Sequence, residues 1–386
     1  MSAKRKICVV VTARPSYSRV KTALAAIKNH PALELQLVVA ASALLDRYGS
    51  VVNQIHSDGF KIDEKVFMVL EGENPTSMAK TTGMGLMELS TAFLNLQPDI
   101  VVTIADRYET IATTIAGAYM NIPVAHIQGG EVTGSIDEKV RHANTKLADI
   151  HLVASAQAME RVIKLGEQPE MVFNTGCPSI DLADEIANSP AFDFDPMEKY
   201  TGVGAKQDLS NGYVVVMQHP VTTEYRESRE HVDQTLNALS GLSLPVLWFW
   251  PNVDAGADGT SKGIRLFREK NDASQFHFYK NMAPHDFLRL LVNSNCLIGN
   301  SSVGIRECAF LGVPVVNIGS RQSGRQRGRN VIDVDYDQAQ ITEAVKKQVG
   351  NGRYDSDPIY GDGKAGKNIA DVLASCELRI SKKLTY

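Results

Sequence analysis

Short apolar runs alternate with longer segments of mixed polarity along the chain. Ile7–Val11, Leu35–Ala41, Ile100–Ile104, Val124–Ile127 and His151–Ala154 are each separated by a helix-length stretch. Buried strands alternating with helices are the βαβ pattern of a parallel sheet. The pattern lapses between about Ala187 and Gly212, where Asn-Ser-Pro, Phe-Asp-Phe-Asp-Pro, Gly-Val-Gly and Ser-Asn-Gly are turn-rich, so a domain boundary is expected there. It restarts with Tyr213–Met217, Leu244–Trp250, Phe276–Tyr279, Cys296–Ile298 and Val313–Ile318, with helical stretches such as Glu227–Leu239 and His285–Val292 between them. The expected architecture is α/β: two doubly wound domains, residues 1–186 and 213–365, joined by a linker region 187–212, with a cleft between them. Residues 366–386 complete the chain. Ile369, Val372, Leu373, Cys376, Leu378 and Ile380 have helical spacing, which predicts a helix over Gly366–Leu384 packing back on the first domain.

Composition narrows the function. The 386 residues carry 44% hydrophobic side chains, enough for two sizeable cores. A net charge of −4 gives no global attraction for nucleic acid or anionic lipid, so an anionic ligand needs a local site. Five scattered cysteines (Cys8, Cys177, Cys296, Cys308, Cys376) form no CxxC pair, which argues against a disulfide framework and for a reducing compartment. No stretch reaches the roughly eighteen apolar residues that span a bilayer, and Ile7–Val11 is too short for a signal h-region; a cytoplasmic location with no membrane partner is expected. No GxGxxG follows the first strand, and no GxxxxGK[ST], HExxH or EF-hand loop occurs, so dinucleotide, Walker-type and zinc-protease readings lose their support.

The candidate chemistry lies at strand ends, where open α/β sheets bind ligands. His126–His142 places Glu131, Asp137 and Glu138 around the flexible turn of Gly129, Gly130 and Gly134, with a helix from Ile136 onward. Ile100–Ile104 ends at Asp106 and Arg107; Asp106 reads as an acid–base group or as an N-cap. Gly299–Gly304 carries Ser301 and Ser302 before a helical Ile305–Leu311, a turn suited to phosphate or to simple capping. Glu307, one turn in, suits ribose hydroxyls. Arg321–Asn330 carries four arginines without interleaved aromatics, which favours neutralising a diphosphate over binding RNA. Arg14 with its neighbouring serines, and His219 after Tyr213–Met217, are further strand-end groups. Arginines, serines and His219 suit a diphosphate, and Asp106, Glu131, Asp137 and Glu138 suit proton transfer. Together they point to a nucleotide-sugar enzyme.

Longer motifs carry a resemblance. Gln218-His-Pro-Val-Thr-Thr, Pro251-Asn-Val-Asp-Ala-Gly256, Ile298-Gly-Asn-Ser-Ser, Gly304-Ile-Arg-Glu, Arg321-Gln-Ser-Gly-Arg, Ile359-Tyr-Gly-Asp-Gly363, Gly130-Glu-Val-Thr-Gly and Arg141-His-Ala-Asn-Thr-Lys-Leu-Ala148 resemble hydrolysing UDP-N-acetylglucosamine 2-epimerases. These include the bacterial enzymes of sialic and legionaminic acid synthesis and the epimerase half of the animal bifunctional epimerase/kinase. The match runs from Ile7 to Leu373. It implies a GT-B fold, two Rossmann-like domains closing on a UDP-sugar, a homodimer or homotetramer, and neither metal nor redox cofactor. The implied reaction eliminates UDP from UDP-N-acetylglucosamine, or from a 4-acetamido-4,6-dideoxy relative, to a 2-acetamidoglucal and then hydrates it to a free N-acetylmannosamine-type sugar.

By the same resemblance, Asp106 and Asp137 match acid–base carboxylates. Arg14, Ser18, Arg107, His219, Asn252, Met282 (through its backbone), Ser301, Ser302, Glu307 and Arg321 match nucleotide-binding positions. Gln128 departs from the pattern: the family often has a catalytic glutamate there, and an amide exchanges no proton at neutral pH. Glu131, three residues on, is the alternative carrier of that role. Arg265 and Arg268 match in spacing an arginine pair near the feedback site of the animal enzyme, or are a helix-surface pair. Substituents at C4 and C6 would be read by segments such as Leu70–Thr76, and the base, uridine or guanosine, by backbone near Met282. The competing readings are a non-hydrolysing epimerase, a GT-B glycosyltransferase and a regulatory protein that binds nucleotide sugar without turnover; Gln128 favours the last.

Overall fold

The computed structural model describes residues 4–45, 51–71, 75–132, 136–251 and 257–385. They cluster into two compact units. One holds the chain up to Val132, Ile136–Asp181 and everything from Tyr360 onward; the other holds Leu182–Ile359.

Among the described residues, the first unit is built on β1 (Arg5–Val11), β2 (Leu33–Ala40), β3 (Glu64–Val66), β4 (Ile100–Ile104), β5 (Val124–Ile127), β6 (Ile150–Val153) and β7 (Val172–Asn174). Their order is β3-β2-β1-β4-β5-β6-β7, and every pairing is parallel. Both faces of β1 are covered. Ile7, Val9 and Val11 pack with Val20, Leu24 and Ile27 of helix Arg14–Asn29, and Cys8 and Val10 pack with Leu89 and Phe93 of helix Pro75–Leu96. Two-sided burial is why these strands read as unbroken apolar runs. The order reverses between β1 and β4, the switch point where such sheets open a crevice.

Residues of the C-terminal segment rejoin this unit. Ile369, Ala370 and Leu373 of helix Ala365–Ser375 enter the same core, and Asp181 accepts from the helix's Ala365 and Gly366 N–H groups at 2.8 and 2.7 Å. The helix ends at Ser375, not Leu384. Leu378, Ile380 and Leu384 are exposed, so nothing holds the last residues helical; Lys382 instead extends its side chain to the carbonyls of Thr145, Lys146 and Ala148 at 3.0, 2.9 and 2.6 Å.

The second unit repeats the plan with β8 (Gly202–Gly204), β9 (Val214–Met217), β10 (Val246–Phe249), β11 (Phe276–Tyr279), β12 (Cys296–Gly299), β13 (Val315–Ile318) and β14 (Val331–Val334). Their order is β14-β13-β12-β9-β10-β11-β8. Val214, Val216, Trp248 and Phe278 fill one core, and Val215, Leu247, Tyr279 and Leu297 the other.

Residues 187–212, expected as a linker, belong to this second unit. Helix Pro196–Lys199 is capped by Asp195, Phe192, Met197 and Tyr200 pack on the core beside Tyr213, and β8 adds antiparallel to β11. A side chain at Gly204 would stand 2.3 Å from the Phe276 carbonyl, so the glycines that looked like loop punctuation permit a close strand contact. No helix among the described residues is long and apolar enough to cross a membrane.

Candidate active site

In the first unit β4 and β5 end side by side. The chain leaves each strand through a left-handed residue that is not glycine: Ala105 (φ +59°) and Gln128 (φ +66°), a conformation costing roughly 1–2 kcal/mol per residue. Hydrogen bonds hold the two ends together. Ala105 N–H donates to the Ile127 carbonyl at 2.9 Å, and His126 Nε2 donates to the Ala105 carbonyl at 2.9 Å. Burial pushes the His126 imidazole down to about 4, so the ring is neutral and its Nδ1, 3.2 Å from Thr145 Oγ1, is free to accept.

Asp106 follows Ala105 and pairs with Arg141 of helix Ile136–Leu147. The guanidinium is 1% exposed, and its Nη1 also donates to the Glu131 carbonyl at 2.9 Å. One buried cation therefore joins Asp106 at the end of β4 to the loop after β5. Asp106 is not a helix cap: the next helix begins at Thr110 after Glu109. The helix carrying Arg141 is locked sideways by Thr114 Oγ1 donating to Asn144 Oδ1 and Asn144 Nδ2 donating to Thr110 Oγ1, both at 2.8 Å.

Asp137 and Glu138 occupy that helix's first turn, half-buried, and Glu138 lies 3.3 Å from His142 Nε2. Glu131 is 4% exposed. Gln128 is buried and donates through Nε2 to Cys177 Sγ at 3.0 Å. Arg107 turns toward Glu109, with Nε donating at 2.7 Å. Arg14 and Ser18 stand at the start of helix Arg14–Asn29, both half-buried, and burial lowers the Arg14 pKa.

In the second unit β12 ends at Gly299 (φ +127°), where a Cβ would lie 2.2 Å from the Met217 carbonyl. Asn300 next to it is fully buried. Its Oδ1 accepts from His219 N–H at 2.7 Å, its Nδ2 donates to the His219 carbonyl at 2.8 Å, and its own carbonyl accepts from Arg321 Nη1 at 3.2 Å and Gln322 Nε2 at 2.8 Å. The ends of β9 and β12 and the segment after β13 thus meet at one amide. Burial, reinforced by Arg321, pushes His219 down to about 3, leaving a neutral imidazole.

Ser301 caps helix Ser302–Ile305, accepting from Val303 N–H at 3.4 Å. The helix expected from Ile305 to Leu311 is interrupted: Arg306 (φ −102°, ψ −75°) separates this turn from Glu307–Leu311, and Ser302 and Glu307 are half-buried. Met282 is buried in the core beside Tyr279. Asn252 lies outside the described residues.

The four arginines of 321–330 divide. Arg321 reaches Asn300, Arg327 pairs with Asp333 and donates to the Gln322 carbonyl, Arg325 is buried and Arg329 exposed. Arg268 lies over the Phe278 ring, 5.4 Å from its centroid, and Arg265 is exposed. Among the described residues no group of three or more His, Cys, Asp or Glu is arranged to hold a metal ion.

A family model described as UDP-N-acetylglucosamine 2-epimerase matches residues 25–374. The chain belongs to the UDP-N-acetylglucosamine 2-epimerase family. It is 31% identical over 380 residues to a UDP-N,N'-diacetylbacillosamine 2-epimerase (hydrolyzing) of Legionella pneumophila, covering 97% of each chain. It is 30% identical over 360 residues to a UDP-N-acetylglucosamine 2-epimerase of Neisseria meningitidis serogroup B, covering 93% of this chain and 91% of that one. Its fold matches that of a Methanocaldococcus jannaschii UDP-GlcNAc 2-epimerase solved with UDP-GlcNAc and UDP, at TM-score 0.79, 15% identity and coverage of 95% and 99%. The two parallel-sheet units are accordingly of GT-B type.

Arg141 and Asn300 stand inside the motifs that carry the family resemblance, yet neither was singled out from the sequence. The available signal for Arg141 is its spacing: a basic residue four positions after Asp137 on one helix. Asn300 and Cys177 offer no such signal, because their partners are 81 and 49 residues away along the chain.

Proposed function

We propose that this member of the family is a hydrolysing nucleotide-sugar 2-epimerase. It converts UDP-N-acetylglucosamine, or a 4-acetamido-4,6-dideoxy relative, to UDP and a free N-acetylmannosamine-type sugar of the kind that sialic or legionaminic acid synthesis consumes. The observation that carries the reading is the Asp106–Arg141–Glu131 cluster at the ends of β4 and β5, with Asp137 one turn before Arg141. Similarity to a relative named as hydrolysing over nearly the whole chain supports it.

In the first step a carboxylate takes the C2 proton. The electrons of that C–H bond form the C1=C2 bond, and the C1–O bond breaks with its electron pair leaving on UDP. In the second step water oxygen bonds C1 as its proton passes to a base, and C2 receives a proton on the opposite face. Asp106 and Asp137 carry these transfers, Glu131 assists, and Arg141 fixes the Asp106 carboxylate in place. Gln128 contacts substrate as a neutral amide. The departing diphosphate needs electrostatic help. Arg14, Ser18, Arg107, His219, Asn252, Met282, Ser301, Ser302, Glu307 and Arg321 bind the nucleotide, with Arg321 supplying charge and His219 a neutral ring.

Incubation with UDP-N-acetylglucosamine and its 4-acetamido-4,6-dideoxy relative in deuterated water, followed by proton NMR, tests the reading. Free manno-configured sugar deuterated at C2 should appear with stoichiometric UDP. A 2-epimer still linked to UDP would instead make the chain a non-hydrolysing epimerase.

A further inference from the structure

Gln128 departs from β5 in the left-handed region and is 1% exposed. Its Nε2 donates to Cys177 Sγ at 3.0 Å, while its Oε1 is buried with no partner among the described residues. Turning the amide over would exchange one unpaired acceptor for an unpaired NH₂ with two donors, so the carbonyl-free orientation costs less. Cys177 is itself held. It is fully buried, its backbone N–H donates to the Tyr360 carbonyl at 2.7 Å, and its sulfur lies 3.1 Å from Ser179 Oγ. A buried carbonyl without a donor, on a residue kept in a strained backbone beside Glu131, is a place prepared for a ligand's donor.

We propose that Cys177 is a positioning residue: its sulfur anchors the Gln128 amide so that Oε1 accepts a hydrogen bond from a hydroxyl or amide N–H of the bound sugar. This rests on the nucleotide-sugar reading above. Gln128 is then a substrate contact whose role is independent of pH, and proton transfer falls wholly to the neighbouring carboxylates.

The test uses the full chain and UDP-N-acetylglucosamine. Cys177→Ala and Gln128→Ala should each lower kcat/KM about tenfold, the size of one lost hydrogen bond. The double variant should be no worse than Gln128→Ala, and Cys177→Ser, whose hydroxyl also accepts, should recover to within about threefold. With glutamine side chains labelled by ¹⁵N, the Gln128 amide pair, identified by its loss in Gln128→Ala, should shift in Cys177→Ala without ligand. An unchanged kcat/KM in Cys177→Ala, or the same loss whether or not Gln128 is present, overturns the proposal. If the unaltered chain releases no UDP, the epimerase reading is refuted, and the amide pair then decides the anchor alone: an unmoved resonance overturns it.

Discussion

Replacing Arg141 by methionine keeps the helical stem but removes the guanidinium that pairs with Asp106. Arg141 is 1% exposed and Asp106 8%, so the carboxylate left behind would be a buried charge without compensation, and the Glu131 carbonyl would lose its donor. Breaking one side of such a pair costs about 3–5 kcal/mol. Removing both charges in Arg141→Met/Asp106→Asn should cost about 1–2 kcal/mol, chiefly the lost hydrogen bonds. The double variant should therefore be about 2–3 kcal/mol more stable than the Arg141 single. At roughly 2–4 °C per kcal/mol for a unit of this size, the single should melt about 6–20 °C below the parent and the double about 2–8 °C below. Calorimetry of the full chain, resolved into its transitions, measures both. A single variant that melts no lower than the double would refute the claim that this guanidinium compensates a buried carboxylate. Asp106→Asn alone leaves the buried Arg141 without its counter-charge and should cost a similar amount to the Arg141 single; assayed well below its melting temperature, its UDP release should fall by about 10²- to 10⁴-fold.

Two further changes probe the frame around these residues. His219 has a folded pKa near 3 against roughly 6.5 unfolded; because the fold lowers it, the stability from keeping the ring neutral is complete above pH 6.5 and is lost as pH falls toward 3, up to roughly 4 kcal/mol. His219→Gln should make the fall in melting temperature between pH 6.5 and 4 shallower, with His126, His151 and His231, also lowered by burial, supplying the remaining histidine share, and an unaltered slope would dispose of the buried-neutral assignment. Lys382→Met removes the donor to three carbonyls at the end of helix Ile136–Leu147 and to Glu167, at about 2–3 kcal/mol; hydrogen exchange should quicken in that helix's last turn, and unchanged protection there would show that Lys382 does not cap it.

Strand positions were legible because both faces of each sheet are covered, so buried strands stand out as unbroken apolar runs. Ile7–Val11 and Phe276–Tyr279 needed no tertiary information. The C-terminal helix was over-read because Leu378 and Ile380 keep helical spacing while facing solvent, and periodicity alone does not report whether a partner surface exists. Residues 187–212 were under-read for the converse reason. Their glycines look like loop residues until β11 is known to pass close beside Gly204. At the strand ends the sequence identifies chemical types, such as Asp106, Glu131 and the arginines of 321–330, but not which groups meet. Arg141 and Asp106 are 35 positions apart and Asn300 and His219 are 81 apart; neither separation leaves a local signature.

The two units solve the same mechanical problem with different chemistry. Each must hold loops at the ends of neighbouring strands, where the backbone ladder has stopped, and each does so with one buried polar residue that bonds to both: Arg141 in the first, Asn300 in the second. A guanidinium serves in the first because what it holds includes a carboxylate, whose burial requires an opposite charge. An amide serves in the second because what it holds is backbone, needing one acceptor and one donor and no charge. Asn300 stabilises the loops without neutralising anything, and Arg321 donates at this junction to a backbone carbonyl. In the first unit the buried cation Arg141 instead bonds a carboxylate, Asp106, as well as the Glu131 carbonyl, so charge is balanced at the junction itself.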